Sequence, residues 1–479
     1  MSSQHSETTQ TPGASLPPGA VGVLAMLALG SFVMILNETI MSVALPVLMD
    51  EFQLTPATVQ WLTTAFMLTM AVVIPTTGWL LTRLPIRVVF VISTGFFVLG
   101  TLVAATAPVF GLLVTGRVIQ AAGTAIMLPL LMTTVLNVVP LHLRGRTMGV
   151  VSIIIAVAPA VGPTAGGLIL HALSWRWMFL IILPIGVLVV LLGLWRLRNV
   201  TETRKVPLDV FSVVLSAIGF AGVIYGLSSI GEAATGHAVL SPWVPLVIGG
   251  VALGIFTLRQ ISLRDIALLN LRVFTVRTFT LSTICVLIAM VGLFGVIVIL
   301  PIYMQDILHF SAQDTGLAML PGGLVMAGLG WLVGRAYDAV GARVLLIPGA
   351  VVVSVAMWLM TTFDADTGLG SLITTHVVMS IGLAALMGPL FTSALNSLTP
   401  RLYSHGSAVI NSLQQVAAAG GTSLYITVMT LATTLGVRLG QDLATAEMTG
   451  IHNALLYGAV LSVVTVVLVP FVRTPKPQS

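Results

Sequence analysis

Glu38 and Arg117 are the ionisable side chains that fall most clearly inside long apolar runs of this chain. Charge is costly in such a setting, so a buried acid and a buried base read first as functional groups, each the natural partner of the other. Their positions favour a meeting. If the run holding Glu38 leaves an apolar slab near residue 46, and the run holding Arg117 enters from the same side near 110, both lie roughly 10–12 Å below that boundary at about 1.5 Å per residue. Desolvation favours a neutral acid and a nearby guanidinium favours a carboxylate, so such a pair could take up and release a proton as its surroundings change. Two other readings stay open: a permanent ion pair that fixes helix packing, and a Glu38 that faces a wet vestibule. Gln120 lies one turn from Arg117 on the same helical face, placed either to orient the arginine or to hydrogen-bond a ligand.

The elements that must hold these groups are set by composition. Of the 479 residues, 57% are hydrophobic and 7% charged, with a mean hydropathy of +1.08. Soluble domains carry about 25% charged residues, so lipid is the solvent expected here. A net charge of +5 and a pI of 9.8 could suggest nucleic acid, but the basic residues are scattered through short loops rather than gathered in a patch, which excludes it. Apolar runs of roughly 20 residues, the length a bilayer requires, occur six times between residues 21 and 196, at 208–229 and 243–260, and six times between 278 and 472. Fourteen membrane-spanning helices are predicted. Lys and Arg mark cytoplasmic loops, and of the 20 basic residues only Arg176 and Arg438 fall in outer loops and Arg117 in a span when both termini are placed inside.

The chain divides accordingly. Residues 1–20 are polar and rich in Ser, Thr, Pro and Gly, and are expected to be a disordered cytoplasmic tail; they lack the basic start and apolar core of a cleavable signal. Residues 21–200 form a first six-helix bundle, 201–270 two linker helices with basic flanks, 271–473 a second six-helix bundle, and 474–479 a cytoplasmic tail. The bundles share a repeat. GWLLTRLPIR (Gly78 to Arg87) and GRAYDAVGAR (Gly334 to Arg343) align at an offset of 256, with Thr82 facing Asp338 and Pro85 facing Gly341. Parallel six-helix repeats are a mark of transporters that rock two bundles about a central site, although two helices can share a basic turn for topological reasons alone. At the same offset Arg117 falls on Ile373, so no comparable charge is expected in the second half.

Other residue types are less specific. Gly162, Gly166 and Gly167 permit close helix approach and Pro163 frees a carbonyl, making either a packing seam or a bending one. The amides Asn411, Gln414 and Gln415, with Asn396, could contact a substrate or simply bond between helices. Trp61 and neighbouring methionines such as Met67 and Met70 could line a greasy, adaptable cavity. No phosphate-binding G-x-x-x-x-G-K-[ST] loop is present, since neither Lys205 nor Lys476 follows a glycine. The eight histidines show no metal-ligand spacing and the single cysteine, Cys285, reads as a core residue. No metal, cofactor or catalytic constellation is expected, and an enzyme is disfavoured.

The order of several motifs resembles the major facilitator superfamily, in particular its fourteen-helix drug:proton antiporters of the lincomycin-resistance type. The similar segments are LNETIMSVALP (Leu36 to Pro46), GRVIQAAGTAIMLP (Gly116 to Pro129), GPTAGG (Gly162 to Gly167), WRWMFLIILPIG (Trp175 to Gly186), LPIYMQ (Leu300 to Gln305), LPGG (Leu320 to Gly323) and SHGSAVINSLQQV (Ser404 to Val416). The resemblance implies an all-α fold of two six-helix bundles plus two linker helices, in a bacterial cytoplasmic membrane. It implies proton-coupled efflux of amphipathic drug-like compounds by alternating access. The partners would be protons, the small-molecule substrate and membrane lipids, and the working unit a monomer. Glu38 and Arg117 would be the coupling pair, with Asn37, Gln120, Trp61, Asn411, Gln414 and Gln415 near substrate. Arg83, Arg87, Asp338 and Arg343 would gate the cytoplasmic end, with the helix 5 glycines as a moving seam. Two departures matter: the family's acid in the first motif is Asn37 here, with Glu38 one place on, and the acid of the first cytoplasmic loop is Thr82. A transporter of lipids or metabolites without proton coupling is the alternative.

Overall fold

The computed structural model describes residues 20–54, 56–59, 61–197, 207–234 and 240–472, so of the tails expected at 1–20 and 474–479 all but Ala20, which already opens the first helix, lie outside the described residues. Fourteen long helices account for nearly all of it: α1 Ala20–Phe52, α2 Trp61–Arg83, α3 Ile86–Ala105, α4 Phe110–Val138, α5 Arg144–Ala172, α6 Trp177–Arg196, α7 Val210–Ala234, α8 Trp243–Leu263, α9 Arg277–Ile302, α10 Ala312–Val340, α11 Ala342–Met360, α12 Leu369–Asn396, α13 Tyr403–Arg438 and α14 Leu443–Leu468. Thirteen of them contain stretches long and apolar enough to cross a membrane; the other, α5, has 29 residues, about 43 Å of helix. Among the described residues there is no strand. In lipid every backbone group must be satisfied within its own segment, which leaves the helix as the solution for such runs.

Short breaks separate the spans where the sequence forbids a helix. Pro85 is extended before α3, and Gly341, at φ 79°, ends α10 in a conformation that side chains with a Cβ rarely adopt. Asp442 caps α14 by accepting from the Thr445 N–H at 3.0 Å, and hydrogen bonding from the Thr445 side chain first, then from its backbone, holds the carboxyl below the usual carboxylate range.

The packing repeats itself. In the first half α3 lies on α4, α2 on α4, α3 on α6 and α1 on α5. In the second half the pairs are α11 on α12, α10 on α12, α11 on α14 and α9 on α13, the same set shifted by eight helices. The halves meet chiefly through α5 on α10 and α2 on α13. Helix α7 packs on α8 and also on both α2 and α13, so the linker pair lies along that second seam. Its outer member α8 presents Trp243, Val247, Val251, Leu258 and Ile261 outward, all more than half exposed, as a lipid-facing helix does.

Candidate functional site

Arg117 is buried in the first half, on α4. One guanidinium nitrogen donates to Asn37 Oδ1 of α1 at 3.0 Å and to Gln120 Oε1 of its own helix at 3.1 Å. Gln120 in turn donates through Nε2 to Thr101 Oγ1 of α3 at 2.8 Å, and the guanidinium lies over the Phe66 ring of α2, 4.2 Å from its centroid. Four helices thus converge on one cation. Each partner is neutral, and Arg117 Nε has no hydrogen-bond partner among the described residues. An incompletely satisfied buried cation is an expensive arrangement, and it leaves the arginine able to take an acceptor that arrives.

Glu38 supplies the nearby charge. It follows Asn37 on α1, is only partly buried, and interacts electrostatically with Arg117. Among the described residues the ion pairs within 4.0 Å are Arg176–Glu51 and Arg259–Asp209, so Glu38 and Arg117 sense each other without direct contact. Asn37 occupies the direct position. At Gly162 of α5 the helix α1 comes close: a Cβ there would collide with Thr39. Gly166 faces the Ile40 carbonyl of α1 at 3.0 Å from a would-be Cβ, whereas Gly167 faces open space. The side chain of Pro163 lies outside the described residues.

The remaining candidates are spread out. Trp61 is 45% exposed and stacks on Tyr225 of the linker helix α7, ring centroids 6.3 Å apart. Asn411 is buried and bonds back to Ser407 of its own helix at 2.8 Å. Gln414 and Gln415 are half-buried, and Gln415 reaches Met70 Sδ across the α2/α13 seam at 3.5 Å.

A second cluster ties the two halves together at the end of the molecule that carries the basic loops. Asp338, near the end of α10, accepts from the N–H groups of Gly145 and Arg146, the first turn of α5, at 2.8 and 2.7 Å. A carboxylate on a helix N-terminus meets both unsatisfied donors and the positive end of the helix dipole. Beneath it the two helices are in backbone contact, since a Cβ on Gly145, Gly149 or Gly334 would overlap the facing helix. Arg144 adds a further tie between halves, donating to Asn396 Oδ1 at 2.9 Å and Tyr403 Oη at 3.2 Å while its Nε holds the Val139 carbonyl at 3.0 Å. The arginines of the repeat point elsewhere. Arg87 donates to the Leu194 carbonyl at the end of α6, and Arg343 donates to the Pro470 carbonyl just beyond α14. Each secures the last helix of its own half. Arg83 is exposed.

Sequence reasoning did not single out Arg144, Tyr403, Phe66 or Thr101. A basic residue in a loop is a topology signal first, and nothing in its spacing distinguishes Arg144 from its exposed neighbours. The reading of Ile373 as the counterpart of Arg117 requires correction. Helix α4 begins at Phe110 and α12 at Leu369, an offset of 259 rather than 256, because the α11–α12 connection is four residues longer than its first-half equivalent while α11 is one residue shorter than α3. The seventh residue after each start is Arg117 in one half and His376 in the other.

Comparison with known proteins agrees with this architecture. The profile of the Major Facilitator Superfamily matches residues 27–422. A lincomycin resistance protein of Listeria monocytogenes is 38% identical over 473 residues, covering 97% of this chain and 99% of that protein. Its namesake in Bacillus subtilis is 36% identical over 407 residues, 85% of each chain. Among solved structures, the human organic anion transporter MFSD10 superimposes with a TM-score of 0.69 at 16% identity, covering 95% of this chain and 100% of that one. The proton:xylose symporter XylE follows at a TM-score of 0.61 and 14% identity, covering 94% and 96%. Fourteen membrane-length helices, a doubled six-helix packing pattern and these likenesses together make the chain a multi-pass membrane transporter, not an enzyme, and a member of the major facilitator superfamily.

Proposed function

We propose that this transporter expels amphipathic drug-like compounds of the lincomycin type from a bacterial cell in exchange for protons. It works as a monomer, by alternating access, in the cytoplasmic membrane. The observation that carries the reading is the buried Arg117, bound among the described residues only to neutral partners, one of which, Asn37, immediately precedes a partly exposed Glu38. In the state described here Asn37 holds the guanidinium, and Glu38 is free to be neutral or charged according to what approaches. A proton on Glu38 and a cationic or polar substrate near it compete for the same small volume, since adding one charge there disfavours a second. That competition is what exchange requires. The substrate class rests on the names of the relatives.

The end bearing the basic loops is cytoplasmic by the excess of Lys and Arg there, so both termini lie inside. With Asp338 on the first turn of α5 and Arg144 on Asn396 and Tyr403, that end is closed, and the state is one in which a substrate would leave to the outer side. Turnover requires these bonds to break and the halves to rock, with the close α1/α5 contact at Gly162 and Gly166 as a place within the first half where α5 can bend.

Lincomycin transport into proteoliposomes under an imposed pH gradient tests the reading. Wild type is expected to move lincomycin against its concentration gradient. Glu38→Gln should lose gradient-driven transport by at least about tenfold while keeping downhill exchange, because only the titratable oxygen has been removed. Full gradient-driven transport by the variant would show that another group carries the proton. Gradient-independent transport by wild type would favour a facilitator.

A further inference from the structure

His376 stands in the second half where Arg117 stands in the first. Both are the seventh residue after the start of the fourth helix of their half, about 10 Å in from the same end. The surroundings correspond as well. Phe66 of α2, which carries the Arg117 guanidinium, aligns at the α2/α10 offset of 256 with Gly322 of α10, and Gly322 is the residue against which the His376 imidazole packs, so closely that a Cβ on it would collide with the ring. His376 is 92% buried, since 8% of it is exposed, and its Nδ1 has no hydrogen-bond partner among the described residues. An imidazole nitrogen left unbonded in a packed interior is rare enough to require a reason. The other polar side chain at this contact is Ser380 Oγ, which itself donates to the His376 carbonyl at 2.9 Å.

We propose that His376 is a proton-binding residue of the second half, a titratable counterpart to the fixed charge of Arg117; this rests on the proton-coupled reading above. No charged or titratable side chain of α5, α9, α10 or α11 interacts with the ring among the described residues. Asp314 and Asp338 sit towards the two ends of α10, Arg144 and Arg343 at the starts of α5 and α11, and Tyr303 just beyond α9. A proton on the imidazole therefore meets no counter-ion in the present state and needs an acceptor from the backbone. Pro321, beside Gly322, has no N–H to give the Leu317 carbonyl, so α10 lacks one helical donor in the stretch that packs on the ring. Protonation of His376 acts on that stretch, and α10 is the helix whose far end, about 24 Å away at Asp338, holds the first turn of α5. One proton in the second half would thus bias the latch between the halves.

Two measurements decide it. In nanodiscs, without substrate, nitrogen-15 NMR of histidine-labelled protein should show one imidazole, absent from His376→Gln or from His376→Asn should the first not fold, that protonates within about pH 5 to 8. An imidazole that stays neutral throughout overturns the proposal whatever the transport mechanism. In proteoliposomes the number of protons exchanged per lincomycin, read from the pH gradient that nulls net flux, should fall from about two in wild type to about one in His376→Gln. An unchanged ratio also overturns it. Loss of all gradient-driven transport by Glu38→Gln alongside a changed ratio in His376→Gln would assign one proton to each half. Wild-type flux indifferent to pH would sink the coupled reading itself, leaving the NMR titration to judge His376.

Discussion

The two seams between the halves are related by the internal repeat, yet they are built differently. On the α5/α10 seam a carboxylate, Asp338, takes two backbone N–H groups of the facing helix, and glycines on both sides bring the backbones together. Trp331 is flanked there by the guanidinium groups of Arg146 and Arg335, each 5.7 Å from its ring centroid. On the α2/α13 seam the residue aligned with Asp338 is Thr82, whose hydroxyl donates to its own Gly78 carbonyl at 2.8 Å and meets Ser404 Oγ at 3.4 Å. Gly334 touches backbone, whereas Gly78 faces the His405 side chain, with 3.2 Å from a would-be Cβ to Nδ1. His405 also accepts, at 3.4 Å, from the Asn270 N–H of the segment after the linker helices. One seam is thus closed by charge and backbone contact, and the other by small polar groups with the linker pair alongside it. A carboxylate on a helix N-terminus outweighs a hydroxyl contact at 3.4 Å, so rocking is expected to begin at the α2/α13 seam and to be limited by release of the α5/α10 seam.

The hardest test of that asymmetry is steric. Gly334→Ala puts a methyl into the Gly145 carbonyl, where no flexible side chain can give way, and overpacking of this kind costs roughly 1–3 kcal/mol. The basic end should then close poorly, and transport should fall by about tenfold or more. Gly78→Ala meets a side chain that can shift, and should lose less than about threefold by the same conversion. Labelling of a single cysteine introduced on the basic-end face of α10 would report closure directly. Equal losses from the two variants would mean that the seams are equivalent after all.

The electrostatic test is gentler and acts in both directions. Asp338→Asn removes the charge but keeps the shape, and charge-assisted bonds of this type contribute about 1.5–3 kcal/mol. The equilibrium should shift towards an open basic end by about 10- to 100-fold, read as faster cysteine labelling, with the protein still folded. Thr82→Asp offers the second seam the same device and should slow both labelling and turnover. If Thr82→Asp leaves labelling unchanged, the difference between the seams does not reside in the carboxylate.

How much of this was open to a reader of the sequence depends on the range of the forces involved. The spans are legible because hydropathy and the loop arginines act locally, and the fourteen long helices fall where those runs lie. Arg117 and Gln120 were legible as partners because they share a helix face one turn apart, and Asn37 was legible only as a departure from an acidic motif. What could not be read is direction. Asn37 and Glu38 are neighbours on α1, and which of them meets the guanidinium depends on the rotation of that helix against α4 and α5. Arg87 and Arg343 have the look of gate residues, but each bonds a carbonyl that only the folded half brings near. The counterpart of Arg117 was missed for a simpler reason: an offset measured in one loop was carried past another loop of different length.

The linker pair tests the comparison from the side where the smallest effect is expected. Asp209, just ahead of α7, accepts from Arg259 near the end of α8 at 2.8 and 3.1 Å, and those bonds together with Ser212 hold its carboxyl down at about 2. A depressed carboxylate contributes stability that is fully present above its unfolded value, 3.8, and is lost as pH falls through about 2. Across the pH range in which a cell lives the pair is therefore constant, and it cannot serve as a switch. More than a third of the arginine is exposed, so solvent screens most of the attraction. Asp209→Asn should lower the thermal midpoint by only a few degrees and leave the pH profile of transport unchanged between pH 5 and 8. Helix α7 also touches α2 and α13, so a loosened linker could still be felt at the weaker seam. A labelling rate that rises on α2 but not on α10 in Asp209→Asn would show that the linker pair braces one seam alone, and a rise on both would show that the two halves move as a single body about it.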